Sequence, residues 1–287
     1  MSKAVEPFRF RQFAVAHDRC AMRVNTDAVL LGAWCPLPDE APEPRILDIG
    51  TGSGVIALML AQRCPAARIT AIDIDEPSAL QARENFLASP WPDRLTAQHI
   101  SLQDFTPPLK GGRGDSYNLI LSNPPYFRNA LRNPDPRRSD ARHTDTLSFD
   151  ELCRCSAELM ADDGILALVL PADAEAEIIT IAAQYGLSPT YLTRVYTNAT
   201  QPPKRILIVL KKQPSYGFSR DINYQLSTVN CRTALADRSR LSRDKNCQLS
   251  YGFSRSFEAF SRDKNCQLST ILLGSPEYHA LCEDFYL

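Results

Sequence analysis

Arg45-Ile46-Leu47-Asp48-Ile49-Gly50-Thr51-Gly52-Ser53-Gly54 is a short apolar run that ends in alternating glycines. An apolar run bounded by turn residues reads as a buried strand. Glycine lets a backbone turn tightly and approach a ligand closely. The stretch therefore reads as a strand, Arg45 to Ile49, turning at Gly50, Gly52 and Gly54 into a helix from Val55 to Arg63. Such a turn could cradle a nucleotide. The Gly-x-Gly-x-x-Gly spacing is not met, because Val55 stands at the third glycine position. No Gly-Lys-Ser/Thr follows, which excludes a P-loop. Asp48 would repel a pyrophosphate but suits a sulfonium amino acid with its ammonium group.

Outward from this turn, strands and helices alternate. Arg68 to Ile74 reads as a strand ending in Asp73-Ile74-Asp75, and Pro77 opens a helix to about Ala88. Leu95 to Ile100 and Tyr117 to Leu121 are the next strands, and Phe149 to Met160 is helical. Ile165 to Leu170 is wholly apolar and reads as central. Ala174 to Tyr185 is a helix stopped by Gly186, and Tyr191 to Tyr196 and Arg205 to Leu210 close the sheet. Repeated βα units imply an α/β, Rossmann-like fold, with a mostly parallel sheet covered by helices on both faces. Ligands of such sheets bind at the carboxyl ends of the strands.

Candidate site residues fall at those ends. Asp73 can accept hydrogen bonds from both ribose hydroxyls. Asp75 competes for that role, and Asp104, after the third strand, could accept from a cofactor's adenine amine. Leu119-Ile120-Leu121-Ser122 runs into Asn123-Pro124-Pro125-Tyr126. The Asn side-chain oxygen and the Pro124 carbonyl are acceptors, and the prolines hold them still. Tyr126 offers a flat face for an unstacked planar group. The four residues describe a clamp for a planar NH2, adenine N6 first and a carboxamide second.

The chain has 287 residues, 44% hydrophobic and 23% charged, with net charge −1. This composition is ordinary for a soluble globular protein. No apolar run approaches the roughly 20 residues that span a bilayer, and no membrane partner is expected. Residues Met1 to Arg11 lack the apolar core of a secretory signal. The nine cysteines form no Cys-x-x-Cys pair, so no metal site is expected and the thiols read as reduced and cytoplasmic. Arg128, Arg132, Arg137, Arg138 and Arg142 follow the clamp against only Asp135 and Asp140. Arg128, Arg138 and Arg142 are candidates to meet a nucleic-acid backbone.

Taken together, these motifs resemble the class I S-adenosylmethionine-dependent methyltransferases, from Arg45 to about Lys212. That resemblance implies seven strands in the order 3-2-1-4-5-7-6, the seventh antiparallel, and S-adenosylmethionine as cofactor. Asn-Pro-Pro-Tyr forms of the family methylate adenine N6 or a protein glutamine amide. Upstream, Phe8-x-Phe10-Arg11-Gln12-Phe13 reads as a short strand, and Thr26 or Asp27 as the cap of a helix from Ala28 to Trp34. This segment, continuing through His17-Asp18-Arg19 and Ala21 to Trp34, resembles the bacterial tRNA1(Val) (adenine(37)-N6)-methyltransferases. So does the final Asp284-Phe285-Tyr286-Leu287. The resemblance implies that Thr26 and Asp27 flank the cofactor, and that tRNA is the substrate of a monomeric cytoplasmic enzyme.

The expected organisation is a cap at 1–44, the methyltransferase domain at 45–212, an insertion at 213–269 and a closing segment at 270–287. The insertion carries a repeated nonapeptide, at Ser219 to Ser227, Ser242 to Ser250 and Ser261 to Ser269. Its spacings are unequal and its apolar positions too few to build a core, so it is expected to be poorly ordered. Two alternatives accompany the tRNA reading. One is protein glutamine N5-methylation, and the other an inactive RNA-binding homologue.

Overall fold

In a computed structural model of the chain, the described residues are 5–38, 40–106, 109–110, 113–114, 116–124, 147–213, 267–273 and 275–285. Pro125, Tyr126, Arg128, Arg138, Arg142, residues 214–266 of the expected insertion, and Tyr286 and Leu287 lie outside them.

The elements in chain order are β1 (Phe8–Arg9), β2 (Ala14–Val15), α1 (Thr26–Trp34), β3 (Arg45–Ile49), α2 (Val55–Arg63) and β4 (Arg68–Asp73). Next come α3 (Glu76–Leu87), β5 (Leu95–His99), β6 (Leu109–Lys110), β7 (Arg113–Gly114), β8 (Tyr117–Ser122) and α4 (Phe149–Leu159). The chain closes with β9 (Met160–Pro171), α5 (Glu175–Gln184), β10 (Leu187–Tyr196), β11 (Arg205–Lys212), β12 (Gln267–Leu272) and α6 (Pro276–Cys282).

The main sheet has the order β12-β10-β11-β9-β8-β3-β4-β5. Only β11 runs antiparallel to its neighbours, β9 and β10. Without β12 this is the expected order, 3-2-1-4-5-7-6. The expected count of seven strands is corrected to eight among the described residues. Gln267–Leu272 pairs parallel to β10, from Tyr191↔Gln267 to Tyr196↔Leu272. It supplies partners to backbone groups that an edge strand would leave exposed. Its first three residues belong to the segment assigned to the insertion.

Strand alternation explains how one sheet serves two cores. In β9, Ala167 and Val169 join the cluster with α1 and α2, while Leu166, Leu168 and Leu170 join the cluster with α4 and α5. β11 repeats this, with Leu207 and Val209 on one face and Ile206, Ile208 and Leu210 on the other. Successive side chains of a strand point to opposite faces, so a continuous apolar run needs cover on both. Where α2 ends, Arg94 donates to the carbonyls of Ala61, Cys64 and Ala67 at 2.8, 3.2 and 3.0 Å. Of these, the Ala61 carbonyl is one that a helix C-terminus leaves unmatched, and the other two lie in the turn that follows.

The cap departs from expectation in two places. Phe8 to Phe13 is not one strand: β1 turns back on β2, with the Phe10 amide donating to the Phe13 carbonyl at 2.9 Å. Asn25, not Thr26 or Asp27, caps α1. Its side-chain oxygen accepts from the Ala28 amide at 2.9 Å, and Thr26 and Asp27 are already helical. Asn is among the strongest N-caps, ahead of Thr. Trp34 anchors the other end of α1, donating from Nε1 to the Thr193 hydroxyl of β10 at 3.0 Å.

Two glycines of the turn differ in a testable way. Gly54 has φ +80°, and a Cβ there would stand 2.5 Å from Cε1 of Phe86 on α3. Gly50 has φ +68° but open space around such a Cβ. Gly54→Ala should lose about 2–4 kcal/mol, from backbone strain plus overpacking. Gly50→Ala should lose only about 1–2 kcal/mol, from strain alone. Urea unfolding of the two variants checks the order.

Candidate active site

The carboxyl ends of β3, β4 and β8 meet at one edge, where Ile49 is level with Ile72 and Ser122. The Ser122 hydroxyl donates to the Ile49 carbonyl at 2.9 Å and is buried. This bond holds the start of the Asn123 motif beside the start of the glycine turn. The turn itself hangs from β4, since the amides of Gly50 and Thr51 both donate to the Ile72 carbonyl at 2.9 and 3.1 Å.

Asp48 is fully buried. Its Oδ2 accepts from the Thr51 hydroxyl at 2.6 Å, while Oδ1 has no hydrogen-bond partner among the described residues. Burial pushes its pKa up to about 7. The charge of Asp73 adds to this, and the Thr51 hydroxyl and, from outside hydrogen-bond geometry, the Ala57 amide oppose it. A desolvated carboxylate with an unmatched oxygen favours a neighbouring cation.

Asp73 ends β4. Its Oδ2 accepts from the Gly52 amide at 2.7 Å and its Oδ1 from the Asp75 amide at 2.9 Å. Burial raises its pKa as well. Asp75, the competing candidate, caps α3, accepting from the Ser78 amide and hydroxyl at 3.0 and 2.6 Å. Asp104 stays exposed in the turn after β5, where it accepts from the Ser101 hydroxyl at 2.6 Å. Asn123 is half-buried and Pro124 buried, directly after β8. The glycines divide by role: Gly50 and Gly52 border open space, whereas Gly54 packs on Phe86.

The cap reaches this edge from two sides. Asp27 accepts from Nε of Arg205 at 2.8 Å, which ties the start of α1 to the start of β11. On the other side, buried Asn85 of α3 accepts from the Ala16 amide at 3.0 Å. It donates to the carbonyls of Ala16 and Ser53, both at 2.8 Å. Buried Gln81 accepts from the Arg19 amide at 2.9 Å and donates to Asp18 at 2.7 Å. One polar face of α3 thus ties residues 16–19 to the glycine turn.

The methyltransferase small domain family model matches residues 36–186. A tRNA1(Val) (adenine(37)-N6)-methyltransferase of Phocaeicola vulgatus is 43% identical over 77% of this chain and 90% of its own length. That of Parabacteroides distasonis is 47% identical over 72% and 84%, and that of Edwardsiella ictaluri 45% identical over 78% and 89%. The chain belongs to the tRNA1(Val) (adenine(37)-N6)-methyltransferase family. A solved structure of a Pyrococcus horikoshii protein, described as a transferase, shares the fold with a TM-score of 0.50. It is 15% identical over 74% of each chain.

The residues of this family member fit an S-adenosyl sulfonium amino acid. The unmatched Asp48 oxygen is suited to an ammonium group. The open space at Gly50 and Gly52 leaves the backbone approachable. Asp73 ends β4 beside the turn, held by the Gly52 amide. Among the described residues no group of three His, Cys, Asp or Glu is placed to hold a metal, and no helix is long and apolar enough to cross a membrane. No local sequence pattern assigns a role to Ser122, Gln81, Asn85 or Arg205. For Asn85 and Gln81 the available signal is helical spacing, since with Ser78 they form a polar stripe beside Ala79, Ala82 and Phe86 on the buried face of α3.

Two outcomes are expected. Asp48 binds its proton more tightly folded than unfolded, where 3.8 is its ordinary value. The folded state therefore holds more protons between pH 3.8 and about 7, and stability falls as pH rises through that window. Asp48→Asn should flatten this fall in thermal melts of the ligand-free protein, with a same-signed share left from Asp73 and an opposing one from His17, whose pKa burial lowers. Asn85→Ala should lose about 1–3 kcal/mol, because buried backbone groups at Ala16 and Ser53 lose their partner. Urea denaturation measures it.

Proposed function

We propose that this chain methylates N6 of adenine 37 of tRNA1(Val), the base immediately 3′ of the anticodon, the reaction that its relatives' names describe. The observation that carries this reading is the placement of Asn123 and Pro124 beside the turn that follows Asp48, through the Ser122 to Ile49 bond. Asp48, Gly50, Gly52 and Asp73 would hold S-adenosylmethionine, with Gly54 shaping the turn. Asp104 would meet its adenine, and Thr26 and Asp27 would flank it. When bound, the cofactor supplies a methyl group on a positively charged sulfur.

The protein's part is positioning and hydrogen bonding. An exocyclic adenine amine is a weak nucleophile because its lone pair is delocalised into the ring. The Asn123 side-chain oxygen and the Pro124 carbonyl accept its two N–H groups. Their pull is strongest as positive charge develops on nitrogen. The N–H then becomes acidic enough to lose its proton to solvent, without a strong base. Pro125 and Tyr126 would complete the clamp, with Tyr126 stacking on a base that has left its own stack. Arg128, Arg138 and Arg142 would meet the RNA backbone. A tRNA substrate supports work in the cytoplasm.

The test offers labelled S-adenosylmethionine with unmodified tRNA or with a release-factor-like protein. Label is expected in tRNA as N6-methyladenine; label in protein and none in tRNA overturns the reading. Asn123→Ala should lower kcat by about a hundredfold or more, with cofactor affinity, measured by calorimetry, nearly unchanged.

A further inference from the structure

An open cleft of about 640 Å³ lies at the same edge as the clamp, one strand further along. It is lined by Pro171, Ala172 and Asp173 after β9 and by Pro202, Pro203, Lys204 and Arg205 before β11. The pairing of Arg205 with Pro171 and the Ala172 amide donating to the Lys204 carbonyl at 3.2 Å join the two walls. The register places the cleft relative to the chemistry. Ser122 is level with Leu168 on the adjacent β9, and Pro171 continues that strand past the level of Asn123. Neighbouring strands are about 4.8 Å apart. The cleft therefore lies sideways from the clamp by the reach of an adjoining nucleotide.

We infer that this cleft is a nucleotide subsite, holding an unpaired RNA residue next to the adenine in the clamp; the inference rests on the tRNA reading above. The size fits, since small-ligand sites run from about 300 to 1,000 Å³. So does the lining. Three prolines have fixed φ and present rigid apolar faces on which a base or ribose can lie without ordering a flexible side chain. Lys204 is exposed at the rim and suits a phosphate. Arg205 is turned toward Asp27 and donates through Nη1 to the Lys204 carbonyl at 3.0 Å. Its guanidinium thereby stiffens the backbone that presents Lys204. Asp173 lines the opposite wall, where its charge disfavours a phosphate. Single-stranded RNA is read in this way, by faces, edges and backbone together. Extruding an adenine unstacks its neighbours, and a cleft beside the clamp can hold one of them.

The test uses the full chain and unmodified tRNA transcript, and measures KM for tRNA, kcat, cofactor affinity and the salt dependence of tRNA binding. Lys204→Ala should raise KM for tRNA about three- to tenfold and lower the slope of log affinity against log salt by about 1. Its kcat at saturating tRNA, cofactor affinity and melting temperature should match wild type, and Lys204→Arg should restore KM. Unchanged KM and slope in Lys204→Ala would overturn the subsite while leaving the tRNA reading intact. A wild-type protein that binds cofactor but leaves tRNA unmethylated would overturn both.

Discussion

The hydrogen bond from the Ser122 hydroxyl to the Ile49 carbonyl joins positions 73 residues apart in the chain and is fully buried. Its donor and acceptor close two parallel neighbours, β8 and β3, at the same level. Everything chemical in the molecule is laid out from that level. The glycine turn leaves from one strand and the Asn123 motif from the other. A slip of one residue would send every side chain of the strand to the opposite face. Apolar residues on both faces alone would not forbid such a slip, because both sides of this sheet are buried. The Ser122 bond is one polar contact that distinguishes the correct register.

Burial of charge at this edge runs against stability and in favour of binding. Asp48 is desolvated, one of its oxygens is unmatched, and Asp73 adds a second carboxylate nearby. An isolated buried charge is costly, so such an arrangement persists where something outweighs the cost. A cationic ligand would do so, and the open space at Gly50 and Gly52 leaves room for the backbone to be approached. On the α3 side, neutral amides fasten the cap beside the ion pair of Arg19 with Glu84. Asn85 and Gln81 can each accept and donate, so they satisfy backbone groups of residues 16–19 without adding charge beside the two acids.

Much of the fold was legible because its signals are local. Glycine at positive φ, apolar runs of strand length and the cap residues of helices are read within a few positions. β3, α2, β8 and the core of β9 stand close to where periodicity put them. The misses share a cause as well. Gln267–Leu272 pairs with the edge of β10, and its first three residues are the end of a polar repeat, which hid the strand. Asn25 caps α1 although Asp27, two residues on, is as good a cap by type, since the choice depends on the backbone angles at each position.

The chain's order of residues by itself determined the class of fold, the glycine turn with its leading acid, and an Asn-Pro acceptor pair after a buried strand. Each is a property of neighbouring residues. Only the tertiary structure decided which acid faces the turn and which caps a helix, since Asp73 and Asp75 differ by their partners and not by type. It also decided that Asp27 meets Arg205, that Asn85 links the cap to Ser53, and that a cleft opens beside the clamp. Those pairings span long stretches of chain, where no local pattern constrains them. They are set by the parallel register and by the need of every buried polar group for a partner.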